Sequence, residues 1–165
     1  NEATFSNPLT GADGILLVFA APVIQQAIDN GSKVLVSTAF ATGVDLTGIS
    51  NTLSIDSLTG SRGQAFFTND SFALPLQPDY LPLQPNNFLL ATDPVHIAFE
   101  AEPLYSAQLT PNGGWYGPRT IALQRRNSNN RVNLVVFTIE YHNLNKLKDN
   151  QQQVLSKILN EEFNW

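Results

Sequence analysis

Two runs rich in β-formers, Arg119 to Arg126 and Arg131 to Tyr141, are joined by four consecutive turn formers, Asn127-Ser128-Asn129-Asn130. Asparagine tolerates the left-handed backbone of a tight reversal, so this pattern commits the stretch to an antiparallel hairpin. The remainder of the chain is cut into similarly short pieces. Lys33 to Thr42 is rich in β-branched residues, and Thr52 to Asp56 alternates Leu53 and Ile55 with polar neighbours; both read as strands. Gln64 to Thr68 is a further short candidate. Glycines at 43, 48, 60 and 63 keep these segments short, and Phe88 to Ala91, Val95 to Ala101 and Leu104 to Thr110 are strand-like runs separated by Pro94 and Pro103.

Helical patterning occurs in two places. After the apolar run Ile15 to Ala20, read as a buried strand, Pro22 stands at a first helical position. Val23, Ile24, Ala27 and Ile28 follow at helical spacing, and Gly31 stops the helix. Near the C-terminus, Asn143 can cap a helix whose apolar stripe is Leu144, Leu147, Val154, Leu155, Ile158, Leu159 and Phe163, interrupted by Gln151 to Gln153. One oily face must lie on the sheet of its own domain, the plainer reading, or on another subunit, in which case Leu155, Ile158 and Leu159 are assembly contacts. The expected fold is mainly β: an antiparallel β-sandwich with a short helix near 22–30 and a C-terminal amphipathic helix near 144–163. Residues 1–14, polar and broken by Asn7-Pro8 and Asp13-Gly14, form an N-terminal arm; 15–165 form a single domain.

A tandem repeat interrupts this organisation: Leu74-Pro75-Leu76-Gln77-Pro78-Asp79-Tyr80 is followed at once by Leu81-Pro82-Leu83-Gln84-Pro85-Asn86-Asn87. Proline fixes φ and restricts the residue before it, so these units should be extended. They serve either as a docking ligand or as a leucine-pinned crossover on the domain surface, and two units favour the crossover.

Composition narrows the function classes. The 165 residues include 27 Asn and Gln against 23 charged side chains, and no cysteine, which excludes a disulfide scaffold, a thiolate metal site and a cysteine nucleophile. There is no methionine either, so an opening of Asn1-Glu2-Ala3-Thr4 reads as a mature, exported chain, secreted or held at the cell surface. The net charge of −5 argues against a nucleic-acid groove, the one basic cluster being Arg125, Arg126 and Arg131. Apolar runs fall far short of the ~20 residues that span a bilayer, so no transmembrane segment is expected. Asn30-Gly31-Ser32 and Asn69-Asp70-Ser71 fit the N-glycosylation pattern, which arises readily by chance in so asparagine-rich a chain.

Few groupings could carry chemistry. His96, Glu100 and Glu102 share one face of a predicted strand and are weak metal candidates; an exposed polar face is the plainer account. The catalytic and phosphate-binding motifs G-x-S-x-G, G-x-x-x-x-G-K and H-E-x-x-H do not occur, no catalytic residue is assigned, and no cofactor is expected. A hydrolase would have to draw on Glu100 or Glu102. The loop Asn112-Gly113-Gly114-Trp115-Tyr116-Gly117-Pro118 sets two large aromatics in a glycine frame, so Asn112, Trp115 and Tyr116 are candidate binding residues for a glycan or protein partner. The alternative is that Trp115 plugs one end of the fold.

Residues Phe19 to Val36, FAAPVIQQAIDNGSKVLV, resemble a segment of the small β-sandwich domains of bacterial surface lipoproteins with collagen-like stalks. There an apolar strand meets a Pro-Ile helical turn, then Asp/Asn-x-Gly, then a Val-rich strand. No Gly-x-y stalk is present here, and Ser37 stands where an aromatic is usual. The resemblance implies a cell-surface module and carries no catalytic residue across.

The leading expectation is a non-enzymatic extracellular structural or adhesive protein, a subunit of a surface fibre or appendage. Its arm, Ala3-Thr4-Phe5, would add a strand to a second copy or to another surface protein. The alternatives are a carbohydrate-binding module and a hydrolase.

Overall fold

The computed structural model describes residues 22–37, 50–55, 63–69, 71, 72, 74–76, 80–83, 101–109, 118–138 and 148–164. A helix, α1, covers 22–29. It is followed by β1 (Val34–Ser37), α2 (Ser50–Leu53), β2 (Gly63–Asn69), β3 (Tyr80–Leu83), β4 (Ala101–Leu109), β5 (Arg119–Arg126), β6 (Val132–Phe137) and α3 (Lys148–Lys157). The fold is mainly β, and all these strands join one sheet in the order β1-β6-β5-β4-β2-β3. The sheet is mixed: β1 runs parallel to β6, from Val34 opposite Leu134 to Ser37 opposite Phe137, while the other four pairings are antiparallel. All six residues of β6 are buried, and a strand covered on both faces needs a ladder on each side to satisfy its backbone. A second sheet, which a sandwich requires, is not among the described residues. The expected strands at 15–20 and 88–91 lie outside the described residues, as does the residue Asn143 proposed as a cap.

Two expected elements take another form. Thr52 to Asp56 reads as a strand, but Ser50–Leu53 is a helical turn with Ile55 as an isolated bridge residue. Ser54 adopts φ 58°, and the Ile55 amide donates to the Ser50 carbonyl at 3.1 Å. The chain reversal sends both Leu53 and Ile55 fully into the core, a result alternation also predicts but by different geometry. Pro103 reads as a separator between strands, yet β4 continues through it. It stands beside a shift of register between Pro103 and Tyr105, where the ladder can do without a proline donor.

The sheet is apolar on both faces. On the first, Tyr105, Ala107, Ile121, Ala122, Val135 and Phe137 pack with Phe72, Leu76, Val154, Ile158 and Phe163. On the second, Leu123, Leu134 and Val136 pack with Ile28, Leu53 and Ile55. Strict alternation cannot place adjacent Leu104 and Tyr105, or Ile121 and Ala122, in the same cluster. The register shifts at Pro103/Tyr105 and Tyr105/Ser106 put one extra residue first on β4 and then on β5, and each extra side chain joins the first face. A third shift, at Arg125/Arg126, spans Asn133 and turns Val132 to the first face although Leu134 points to the second.

The predicted hairpin is β5–β6. The Asn127 amide donates to the Arg131 carbonyl at 2.8 Å and the Asn130 amide to the Asn127 carbonyl at 2.9 Å. Asn130 takes the left-handed conformation at φ 59°, closing a three-residue loop. The Asn127 side-chain oxygen accepts from the amides of Asn129 and Arg131, each at 3.0 Å. Helix α1 ends as its sequence dictates: Gly31 has φ 83°, its amide donates to the Ile28 carbonyl, and the Ser32 amide donates to the Ala27 carbonyl, each at 2.9 Å. Ile24 and Ile28, one turn apart, face the core, while Val23 remains exposed.

Helix α3 passes into a π-helical turn, Ile158–Glu162, closed by the Phe163 amide donating to the Ile158 carbonyl at 2.8 Å. Val154, Ile158 and Phe163 are all buried. In a continuous α-helix Phe163 would lie about 140° round from Ile158, at about 100° per residue. The wider turn returns it to the sheet side, so the 3.6-residue spacing expected through Phe163 gives way at Ile158.

Candidate functional site

Residues 71, 72 and 74–76 lie across the first face of the sheet as a strap. Ser71 donates its hydroxyl to the Pro103 carbonyl at 2.6 Å, and its amide to the same oxygen at 3.3 Å. Phe72 stacks edge-on against Tyr105, with ring centroids 5.4 Å apart, and Lys157 of α3 places its ammonium 5.2 Å from the centre of the Phe72 ring. Leu76 is buried, and Asn150 of α3 donates its side-chain amide to the Pro75 carbonyl. The first unit of the proline repeat is thus a leucine-pinned crossover in its described part. The last residue of the first unit and the first three of the second form β3, where Tyr80 to Leu83 pair with Phe66 to Gly63 of β2. Pro82 is tolerated there because β3 ends the sheet in the described strand order.

The two ends of the sheet differ in what they offer a further strand. Tyr-Leu-Pro-Leu of β3 lacks one backbone donor at Pro82, whereas Val-Leu-Val-Ser of β1 keeps all of its own. Among the described strands β1 has a ladder neighbour on one side, β6, and an edge of this kind is a ready template for pairing.

Polar side chains gather at the hairpin end of the first face. Glu102 lies opposite Gln124, whose side-chain amide nitrogen donates to the carboxylate at 2.8 Å; the Arg126 Nε is 3.7 Å from the same oxygen. Gln124 is buried, and its own side-chain oxygen has no hydrogen-bond partner, like Asn133 Oδ1 and Thr120 Oγ1. Arg126 also donates to the Asn130 carbonyl at 3.3 Å, and Arg125 reaches across the second face to the Asn51 carbonyl at 3.1 Å. These arginines brace the hairpin and α2 from opposite faces and do not form one groove.

Of the residues singled out in the sequence, Asn112, Trp115 and Tyr116, the arm residues Ala3, Thr4 and Phe5, and His96 and Glu100 lie outside the described residues. Glu102 sits in the polar cluster just described. Ile158 is fully buried in the first-face core of its own chain, with Leu155 and Leu159 half-buried against the same core. Among the described residues no group of three or more His, Asp or Glu side chains is placed to hold a metal ion, and no helix is long and apolar enough to cross a membrane. No family model matches the chain, and no curated protein or solved structure matches it.

Proposed function

We propose that the chain is a non-enzymatic structural or adhesive protein of the cell surface, whose copies join when the N-terminal arm of one, around Ala3-Thr4-Phe5, adds a strand to the sheet of the next. The observation that carries this reading is the asymmetry of the sheet ends. The β3 end is blunted by Pro82, and the β1 end is a run of β-branched and apolar residues without proline or charge. In strand addition, backbone hydrogen bonds supply affinity while alternate side chains of the donor fill pockets and set register. A charge-poor surface also permits close packing of copies. Extracellular location is supported by the resemblance of residues 19–36 to surface-lipoprotein domains.

The finer architecture belongs to the same reading. A two-layered sandwich with an amphipathic helix near 144–163 is supported by a sheet that is apolar on both faces, since each face demands a cover. The test is deletion of residues 1–13. The shortened chain should keep its circular dichroism spectrum and run as a monomer by light scattering where the full chain runs larger. An oligomer size unchanged by the deletion, or a full chain that is already monomeric at high concentration, overturns the proposal.

A further inference from the structure

The turn that ends α1 presents Asn30, Gly31 and Ser32 to solvent. The sequence holds two Asn-Gly pairs: Asn30-Gly31 forms this turn, and Asn112-Gly113 lies outside the described residues. Glycine has no Cβ to shield its backbone nitrogen, so in an Asn-Gly pair that nitrogen can reach the carbonyl carbon of the asparagine side chain. Hydrogen bonds fix the plane of this peptide. The Asn30 amide donates to the Gln26 carbonyl at 3.0 Å, and the Gly31 and Ser32 amides donate to the Ile28 and Ala27 carbonyls, each at 2.9 Å. Closing a ring through the Gly31 nitrogen requires this peptide to rotate about the Asn30 Cα–C bond, which breaks the Gly31 and Ser32 bonds. Reaction and turn are mutually exclusive. Asn127-Ser128 is the contrast, because the Asn127 side-chain oxygen already accepts from the amides of Asn129 and Arg131 and Ser128 carries a Cβ.

We propose that Asn30 is a site of spontaneous deamidation, gated by local opening of the C-terminal turn of α1. With the turn open, the Gly31 nitrogen gives up its proton and bonds to the side-chain carbonyl carbon of Asn30. The side-chain nitrogen takes up a proton and leaves as ammonia, closing a five-membered imide. Water then opens the imide. Breaking the bond from the Gly31 nitrogen to the main-chain carbonyl carbon of residue 30 leaves isoaspartate, and breaking its bond to the side-chain carbon leaves aspartate. Nothing is oxidised or reduced, and water is the only co-reactant. Either product adds a negative charge beside Asp29 at the C-terminal end of a helix, where the macrodipole disfavours it. Isoaspartate also lengthens the main chain of the turn by one methylene group, just before β1 begins at Val34. The extra atom displaces the Gly31 and Ser32 amides from their acceptors, so the event is a one-way loosening of the link between α1 and β1.

Mass-spectrometric peptide mapping of the full chain aged in mildly alkaline buffer tests the proposal, with the chain unfolded in guanidinium chloride as reference. Tryptic cleavage after Lys33 releases Asn30 on a peptide separate from Asn112. In guanidinium chloride the Asn30 peptide should gain the mass difference between an amide and an acid and contain isoaspartate. The folded chain should do so more slowly by roughly tenfold or more, because only the locally opened turn reacts. Ile28→Ala, which removes the buried anchor of the last turn, should speed the folded-state reaction severalfold. Tyr105→Phe, which weakens the opposite face, should leave it unchanged. If Ile28→Ala abolishes folding, amide hydrogen exchange of the parent chain takes its place: Gly31 and Ser32 should exchange well ahead of the β6 amides. An Asn30 peptide that stays intact in guanidinium chloride, equal rates in the folded and unfolded chains, acceleration by Tyr105→Phe, or turn amides that exchange together with β6 overturns the proposal.

Discussion

The hydroxyl of Tyr105 donates to the carbonyl oxygen of Leu74 at 2.5 Å, fastening the strap to the middle of the sheet from a side chain that is itself fully buried. The ring beneath this bond is held between Phe72 and Phe137, with centroids 5.4 and 6.2 Å away. On the other side of the strap, Asn150 bonds Pro75. Sheet, strap and α3 are therefore stitched through consecutive backbone carbonyls, which proline at position 75 helps to hold extended.

Tyr105→Phe keeps the ring stack and deletes the tie to Leu74. The expected loss is about 1 kcal/mol, the net worth of one hydrogen bond. Urea unfolding should show a lower midpoint with an unchanged slope, because the surface exposed on unfolding stays the same. A midpoint equal to that of the parent chain would mean that Ser71, Phe72, Leu76 and Asn150 hold the strap without this bond.

The hairpin loop divides its work between two asparagines. Asn127→Ala removes the acceptor for two loop amides at once and should cost about 1 kcal/mol, comparable to the loss of a helix cap. Asn130→Val places a β-branched side chain at φ 59° and should cost about 1–2 kcal/mol, whereas Asn130→Gly should be tolerated. Thermal melts of the three variants check the order. Equal melting temperatures for the valine and glycine variants would contradict the left-handed geometry.

This loop was legible in the sequence because its conformation depends on local chemistry: four turn formers leave few alternatives. The same holds for Gly31, whose missing Cβ suits the left-handed end of α1. What escaped the sequence depended on distant partners. Leu53 and Ile55 alternate as a strand would, and only the packing of α2 against Leu134 and Val136 makes them a turn. The register shifts beside Leu104 and Ile121 leave no periodic trace, since an extra residue simply breaks the pattern. Phe66 sits in a segment whose strand was readable, but its partial exposure was not. The parallel β1–β6 pairing joins strands about a hundred residues apart, a separation about which hydrophobic patterning is silent.

The π-turn of the C-terminal helix makes the sharpest case for tertiary packing overriding helical period. A π-turn is an α-helix carrying one additional residue, so deleting exposed Asn160 should restore α-helical spacing between Ile158 and the phenylalanine that follows. The apolar contact survives: the ring would then lie four residues on from Ile158, on the same side of the helix. Stability should fall by less than about 1 kcal/mol despite the loss of a residue. Phe163→Ala, which empties the same buried position, should cost about 3–5 kcal/mol. Denaturant titration of both variants decides the matter. A deletion as damaging as the alanine substitution would show that the wide turn is required by the sheet and is more than an insertion the helix absorbs.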